Sequence, residues 1–136
     1  MSAAALRLQP VPRILVVEDE SAICDLIGDM LEGAGYGVHC VESGEEAYSA
    51  LDSGRPYAAL VVDVNLGLGV TGFDVARHAR EAHAEIPVIY ITGEVSPVRF
   101  GLHAVPGALH LAKPIQEAAL LAGLESLLGG PPSGND

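Results

Sequence analysis

Ile14-Leu-Val-Val-Glu-Asp19 is a short run of apolar, mostly β-branched residues that ends in two carboxylates. A continuous apolar run of this length is typical of a parallel strand that is buried on both faces. The residues from Ser21 to Ala34 then have the spacing of an amphipathic helix, which Gly35 ends. The stretch therefore predicts a strand and a helix with an acidic pair between them.

The same alternation continues along the chain. Further strands are predicted at 38–41, 60–62, 88–91 and 109–112, and further helices at 44–51, 73–84, after 96 and at 115–128. Such alternation gives a parallel sheet with helices on both of its faces. We therefore predict one doubly wound (βα)₅ domain of the α/β class over residues 13–129. Residues 1–12 are predicted to be a flexible leader, and 130–136 a flexible tail.

The helix predicted after residue 96 is short. Ser96 and Pro97 suit its N-cap and its first helical position, whereas Gly101 weakens it and Pro106-Gly107 ends it. The fourth helix is therefore expected to be curtailed.

The charge of the chain limits its partners. With 7 basic and 18 acidic residues, the formal net charge is −11. A phosphate backbone or an anionic membrane is bound through basic patches, so neither is expected to be a direct partner. A length of 136 residues with 49% hydrophobic content is typical of one globular domain.

The cellular compartment is predicted from the absence of two targeting features and from the cysteine content. The first residues are too short and too weakly apolar for a signal peptide, and no stretch is long enough to span a bilayer. Cys24 and Cys40 are the only cysteines. The sequence therefore predicts a cytoplasmic protein in which both thiols are reduced.

Polar side chains follow the predicted strands at the points where they end. Glu18-Asp19 follow the first strand, Asp63 the third, Thr92 the fourth and Lys113 the fifth. The carboxyl ends of parallel strands meet at one edge of a sheet, and binding sites lie there. Lys113 is also the only lysine in the chain. Three carboxylates, a hydroxyl and an ammonium group together suit a Mg²⁺-dependent site that accepts a phosphoryl group.

These motifs resemble the receiver domain of two-component response regulators over about residues 13–128. The resemblance implies a flavodoxin-like fold and transfer of a phosphoryl group from a sensor histidine kinase or a histidine phosphotransfer protein. Signalling would then proceed by contact with a downstream protein. The short chain predicts a stand-alone response regulator rather than a turnover enzyme, with weak self-phosphorylation and self-dephosphorylation.

The resemblance also assigns roles to residues. Asp63 would be the phosphoacceptor, and Asp19 and Asp63 would bind Mg²⁺ directly. Glu18 would act directly or through water, and the Asn65 backbone carbonyl would be a further ligand. The resemblance also implies a cis peptide bond between Lys113 and Pro114.

Thr92 and Lys113 would contact the phosphoryl group in such a site. The hydroxyl can donate to a phosphoryl oxygen, while the ammonium group supplies a compact charge. Gly93 would leave room for the group to enter. Asn65 and Glu94 lie two residues beyond Asp63 and Thr92, at positions that tune hydrolysis in the family.

Two features depart from the family pattern. Gly67 stands where receivers usually have a proline, in a loop that is one residue longer than usual. His110 occupies the position of the aromatic switch residue on the last strand, and Thr92 would be the second switch residue. A histidine can rotate as a tyrosine does, but it also titrates near neutral pH. The alternative is a half-buried strand histidine with no switch role.

The last helix is unusually apolar, and its role is open between two alternatives. Its apolar side chains either pack only against the sheet or also form a homodimer or partner surface. They are Ala118, Ala119, Leu120, Leu121, Leu124, Leu127 and Leu128.

Other functions fit the sequence less well. A receiver-like scaffold that works without phosphorylation would not need the full set of polar residues. A phosphatase of the haloacid dehalogenase type needs Asp-x-Asp after its first strand, whereas this strand is followed by Glu18-Asp19-Glu20. Gly67 to Gly72 matches G-x-G-x-x-G, but its first glycine is too far from the strand for a dinucleotide-binding turn.

Overall fold

The computed structural model of the protein describes residues 11–67, 69–93 and 97–130. Most of the predicted leader and tail therefore lies outside the described residues, as do Leu68, Glu94 and Ser96. The described strands are β1 (Arg13–Val17), β2 (Gly37–Val41), β3 (Ala59–Asp63), β4 (Val88–Thr92) and β5 (Leu109–Ala112). The described helices are α1 (Ser21–Gly33), α2 (Gly44–Asp52), α3 (Gly72–Ala82), α4 (Pro97–His103) and α5 (Glu117–Leu128).

The strands form one parallel sheet in the order β2-β1-β3-β4-β5. Strands and helices alternate along the chain, as predicted, so the fold is a flavodoxin-like doubly wound α/β fold. The chain order reverses at β1, which lies between β2 and β3. In such sheets, binding sites form beside this reversal, at the carboxyl ends of the strands.

The sheet separates two hydrophobic layers because successive side chains of a strand point to opposite faces. Leu15 and Val17 pack with residues of α2 and α3, whereas Ile14 and Val16 pack with residues of α1 and α5. All four side chains have no exposed surface. Each contributes roughly 1.5–3 kcal/mol by its burial. Burial on both faces explains why β1 is continuously apolar and does not alternate.

The helix ends differ from the prediction by one or two residues. The helix α3 ends at Ala82 rather than Ala84, and His83 already has an extended backbone. The helix α5 begins at Glu117 rather than Ile115, because the Ile115 side chain packs into the core before the helix starts. Local spacing does not show where packing ends a helix.

The helix α3 is fixed at its start by reciprocal hydrogen bonds. The Thr71 side chain accepts from the Asp74 backbone N–H at 3.2 Å, and the Asp74 carboxylate accepts from the Thr71 N–H at 3.0 Å. This is a capping box, which satisfies donors that a helix terminus leaves without partners. It anchors the far end of the loop that follows β3.

The fourth helix was predicted to be short, and the fifth helix to be unusually apolar. The helix α4 has 7 residues and is the shortest of those described. In α5, Leu120 and Leu124 are fully buried, and Leu121, Leu127 and Leu128 pack partly against the same core. Ala118 and Ala119 are exposed. Packing against the sheet therefore accounts for the large apolar side chains of α5.

The prediction of two reduced thiols is wrong for this structure. Cys24 on α1 and Cys40 on β2 are joined in a disulfide, with their Cα atoms 6.3 Å apart. The helix α1 packs against β2, which brings together residues that are 16 positions apart in the chain. The spacing alone did not indicate this pairing, because it depends on how the helix lies on the sheet.

Candidate functional site

The predicted polar residues meet at the carboxyl ends of four strands. In the parallel register, Val17 lies opposite Val62, Asp63 opposite Ile91 and Thr92 opposite Ala112. The residues directly after β1 and β5 therefore reach the same edge as the last residues of β3 and β4. This confirms that the sheet brings Glu18-Asp19, Asp63, Thr92 and Lys113 to one edge.

Lys113 is the cation at the centre of this group. Its Nζ donates a hydrogen bond to Asp63 Oδ2 at 2.8 Å and lies 3.0 Å from Glu18 Oε1. The Lys113 backbone N–H donates to the Thr92 carbonyl at 2.9 Å, which attaches the start of this segment to β4. The peptide bond between Lys113 and Pro114 is cis, as the resemblance implied.

Electrostatics keep Lys113 charged. Burial lowers the pKa of Lys113, but its hydrogen bond with Asp63 and its ion pair with Glu18 outweigh burial and leave the pKa above its usual value. Glu20 is a further carboxylate at 3.9 Å from the same Nζ, and its side chain is 65% exposed. The sequence analysis did not single out Glu20, since no signal separates it from an ordinary residue before a helix.

Three carboxylates form the acidic part of the site. One oxygen from each of Glu18, Asp19 and Asp63 lies within 4.8 Å of the others. Glu18 and Asp63 are buried, whereas Asp19 is exposed. Hard divalent cations prefer such oxygen ligands, and Mg²⁺ usually retains several waters. One exposed carboxylate leaves a side open to solvent, so the group fits a partly hydrated Mg²⁺.

Glu18 is a carboxylate whose charged form is destabilised by its surroundings. Its Oε2 accepts from the Glu20 backbone N–H at 3.1 Å. Among the described residues, no donor meets Oε1 with hydrogen-bonding geometry, although Lys113 Nζ lies at ion-pair distance. Burial raises the pKa of Glu18 to about 7, and the nearby Asp63 charge adds to this rise, while Lys113 opposes it. A bound cation would relieve this destabilisation of the charged form.

Glu18 predicts a pH dependence of stability without Mg²⁺. Its pKa is about 7 in the folded protein against 4.5 for an ordinary glutamate, so the folded protein holds a proton that the unfolded chain has released between these values. Glu18 therefore contributes fully to the free energy of unfolding below about pH 4.5, and this contribution is lost as the pH rises through about 7. The loss is up to about 3 kcal/mol.

The measurement is chemical denaturation at pH steps from about 5 to 8 with a chelator present. Glu18→Gln serves as the control, since it cannot titrate. We expect the wild type to lose stability more steeply than Glu18→Gln as pH rises. Equal slopes in the two proteins would contradict the prediction.

Asp63 is held in place by the loop that follows it. Its Oδ1 accepts from the Asn65 backbone N–H at 2.9 Å. The Asn65 side chain is exposed and accepts from the Gly67 N–H at 3.2 Å. Gly67 has a φ of +86°, a left-handed conformation that favours glycine. Proline, whose ring fixes φ at about −65°, cannot adopt this conformation, so the loop differs here from the usual family pattern.

Gly72 closes the same loop against Asp63 and was missed by the sequence analysis. Its N–H donates to the Val64 carbonyl at 3.0 Å. A Cβ at this position would lie 2.1 Å from the Asp63 carbonyl oxygen and 2.8 Å from Val64 Cα. The loop contains several glycines, and nothing in the sequence distinguishes the one that packs on the backbone of β3.

The Thr92 side of the site is partly described. Thr92 ends β4 and is 5% exposed. Within the part of the chain that the structure describes, a Cβ on Gly93 would meet nothing within 4 Å. Glu94, which was predicted to tune hydrolysis, lies outside the described residues.

His110 lies on β5 and falls among the exposed residues. Its ring packs against Phe100 of α4, with ring centroids 4.5 Å apart. Phe100 also contacts the buried Tyr90 ring of β4 at 5.3 Å, and the Tyr90 hydroxyl accepts from the Val105 N–H. His110 is thus connected by ring contacts to the segment that follows Thr92.

This geometry agrees with comparison to known proteins. The sequence profile of the response regulator receiver domain matches residues 14–125. The chain belongs to this family. Receiver domains are signalling phosphoacceptor domains rather than conventional enzymes, which confirms the corresponding prediction.

Known relatives of this receiver include regulators and sensor proteins. It is 37% identical over 117 residues to the transcriptional regulatory protein TcrA of Mycobacterium tuberculosis, covering 85% of this chain and 45% of TcrA. Response regulator MprA of Mycolicibacterium vanbaalenii is 34% identical over 118 residues, covering 85% of this chain and 50% of MprA. The chain thus spans about half the length of these relatives.

Solved receiver structures have the same fold. A response regulator receiver protein from Sinorhizobium medicae has a TM-score of 0.83 and 31% identity, covering 88% of this chain and 95% of that one. The receiver domain of sensor histidine kinase PA1611 from Pseudomonas aeruginosa has a TM-score of 0.77 and 28% identity, covering 89% and 100%. That structure holds a magnesium ion in its active-site cleft. Of the helices described in this receiver, none combines the length and the apolar character needed to span a bilayer.

Proposed function

We propose that this receiver accepts a phosphoryl group on Asp63 in a Mg²⁺-dependent reaction and signals by contact with another protein. The observation that carries the proposal is the position of the Asp63 carboxylate. It is 3% exposed, hydrogen-bonded to the Lys113 ammonium group at 2.8 Å, and within 4.8 Å of two further carboxylates. A nucleophile, a cation and a metal-binding group therefore adjoin one another.

The acidic group would hold Mg²⁺. Asp19 and Asp63 are the proposed direct ligands, with Glu18 acting directly or through water and the Asn65 carbonyl as a further ligand. The magnesium ion in the cleft of the PA1611 receiver domain supports this assignment. When bound, Mg²⁺ neutralises charge that would otherwise oppose formation of an acyl phosphate beside carboxylates.

Thr92 and Lys113 would contact the phosphoryl group after transfer. Lys113 is paired with Asp63 and Glu18 in this structure. Once the Asp63 oxygen carries a phosphoryl group, the ammonium group can form a charge-assisted hydrogen bond with a phosphoryl oxygen. The Thr92 hydroxyl, beside Gly93, is the proposed second donor.

The proposal extends to partners and to control of the signal. The phosphodonor would be a sensor histidine kinase or a histidine phosphotransfer protein in the cytoplasm, and the target a downstream protein. The net charge of −11 supports a protein target rather than nucleic acid or membrane. His110 would act as the switch residue through Phe100, and Asn65 and Glu94 would tune hydrolysis. Dimerisation through α5 would use its exposed alanines.

The test is incubation of the full chain with a small-molecule phosphodonor such as acetyl phosphate. We expect one phosphate per chain, dependent on Mg²⁺, stable in acid and labile in base. Intact mass measurement after an acid quench detects it. A chain that binds Mg²⁺ but never gains phosphate from any donor would overturn the proposal and favour a scaffold.

Mg²⁺ is expected to raise the melting temperature of the wild type, since it binds the folded state only. At a concentration 100 times the dissociation constant, the gain is about 2.7 kcal/mol, or roughly 10 °C for a domain of this size. Asp19→Ala is expected to remove most of this gain because it deletes a proposed direct ligand. Differential scanning fluorimetry with and without Mg²⁺ measures it.

Asp29→Ala is the matched control, because Asp29 is an exposed carboxylate of α1 outside the acidic group. It is expected to keep the full Mg²⁺ response. If Asp19→Ala and Asp29→Ala respond equally to Mg²⁺, the ligand assignment is wrong.

A further inference from the structure

We propose that Cys24 and Cys40 form a reversible disulfide whose oxidation state adjusts the Mg²⁺ affinity of the acidic group. The inference rests on the proposed function, because Mg²⁺ binding is the property that it modifies. Neither cysteine belongs to the set of residues that the site uses. Their Cα separation of 6.3 Å lies within the range of disulfides, so no backbone movement is needed to join them.

The two cysteines differ in accessibility. Cys24 is 4% exposed, whereas Cys40 is only partly buried. Both line an open groove of about 450 Å³ between α1 and β2. A small thiol can therefore reach Cys40 from solvent, while Cys24 is the shielded partner. Exposed disulfides exchange with external thiols more readily than buried ones do.

Small-molecule thiols can reduce the disulfide by thiol–disulfide exchange, and small-molecule disulfides can form it again. A thiolate attacks the Cys40 sulfur, which breaks the bond to Cys24 and leaves a Cys24 thiolate that takes up a proton. A second thiol then releases Cys40 from the mixed disulfide, so two thiols become one small-molecule disulfide. The reverse reaction uses a small-molecule disulfide as oxidant. In a reducing compartment, a protein disulfide of this kind is usually transient and often redox-sensing.

The charge of the groove determines which thiol reagents can enter it. Asp25, Asp29 and Glu32 line it beside the cysteines. These carboxylates repel anionic thiols such as glutathione. Neutral reagents are therefore the appropriate probes, namely dithiothreitol as reductant and hydroxyethyl disulfide as oxidant.

Backbone hydrogen bonds connect the disulfide to the acidic group. The Glu18 N–H donates to the carbonyl of Val41 at 3.0 Å, and Val41 is the residue after Cys40. The Cys24 N–H donates to the carbonyl of Glu20 at 3.0 Å. The segment Glu18-Asp19-Glu20 is thus attached at one end to Cys24 and at the other end to Val41, the neighbour of Cys40. Oxidation restricts this segment and keeps its carboxylates in place for a cation, whereas reduction leaves only hydrogen bonds.

The expected coupling has a sign and a size. A cross-link that reduces the freedom of ligands before binding lowers the cost of ordering them, so the oxidised protein binds Mg²⁺ more tightly. We expect a difference of about fivefold, at the low end of typical coupling between sites. Closing a loop of this length also raises the melting temperature of the oxidised protein, by about 10 °C.

The experiment compares oxidised and reduced preparations of the full chain. Thiol titration of the denatured protein is expected to find no free thiol after hydroxyethyl disulfide treatment and both thiols after dithiothreitol. Isothermal titration with MgCl₂ then gives the affinity of each form. A Cys24→Ser/Cys40→Ser variant is expected to bind Mg²⁺ as the reduced wild type does, whichever reagent it meets. If that variant fails to fold, Cys40→Ala provides a permanently unpaired Cys24.

The outcomes separate this inference from the proposed function. Equal Mg²⁺ affinity in the oxidised and reduced proteins overturns the inference and leaves the proposed function intact. Two free thiols after oxidant treatment also overturn it alone. Absence of Mg²⁺ binding in both forms overturns the proposed function, and the inference with it. Tighter binding by the oxidised wild type, with no response to the reagents in the double variant, supports the inference.

Discussion

Asp63→Asn is expected to reduce phosphate incorporation from acetyl phosphate to background, while the wild type gains one phosphate per chain. An amide cannot form the acyl phosphate, because it lacks the anionic oxygen that attacks phosphorus. Asparagine has nearly the same shape, and its single carbonyl oxygen can still accept one of the two hydrogen bonds that the Asp63 carboxylate accepts, from the Asn65 backbone N–H or from the Lys113 ammonium group. The fold is therefore expected to persist, which makes the loss specific to the reacting group.

Intact mass after an acid quench measures the incorporation, and circular dichroism confirms that the variant is folded. Asp29→Asn is the matched control, since it makes the same change at an exposed carboxylate outside the site. It is expected to be labelled as the wild type is. Labelling of Asp63→Asn at the wild-type level would show that another residue is the acceptor.

Gly72→Ala is expected to destabilise the fold severely. The added Cβ would lie 2.1 Å from the Asp63 carbonyl oxygen, and the neighbouring atoms are backbone rather than flexible side chains. Either β3 or the start of α3 would have to move. Such overpacking costs about 3 kcal/mol, or more where backbone must shift. The melting temperature is expected to fall by at least about 10 °C.

Gly72→Ala is also expected to reduce phosphorylation of Asp63. Any shift of the Asp63 backbone changes the position of its carboxylate relative to Lys113, so phosphate incorporation at a temperature where the variant is folded is expected to fall. Gly33→Ala is the control, because a Cβ there meets nothing within 4 Å at an exposed position of α1. It is expected to leave stability unchanged or to raise it slightly. A Gly72→Ala protein as stable as Gly33→Ala would show that the loop accommodates the side chain.

The polar residues of the site were predictable because their positions follow from strand order. A parallel sheet places the residue after each strand at one edge, so the types of residue at strand ends were enough to predict the group around Lys113. The apolar runs of β1 and β3 were equally informative, since burial on both faces requires them. The resemblance to receivers then assigned a role to each group.

Three other features were not predictable from the sequence. Gly72 is one of several glycines in its loop, and only packing shows that it touches the backbone of β3. The pairing of Cys24 with Cys40 depends on how α1 lies against β2. The ring contact between His110 and Phe100 depends on where the short helix α4 sits. Each involves atoms from separate elements, whose relative position local spacing does not specify.

The sequence by itself determined the fold class and the chemical groups available at the edge of the sheet, because both follow from local periodicity and strand order. The tertiary structure alone decided the surroundings of those groups. Glu18 has an ordinary acidic side chain in the sequence, but complete burial beside Asp63 raises its pKa to about 7. Desolvation, close packing and cross-links depend on distances between elements, and these distances exist only once the sheet and its helices have packed together.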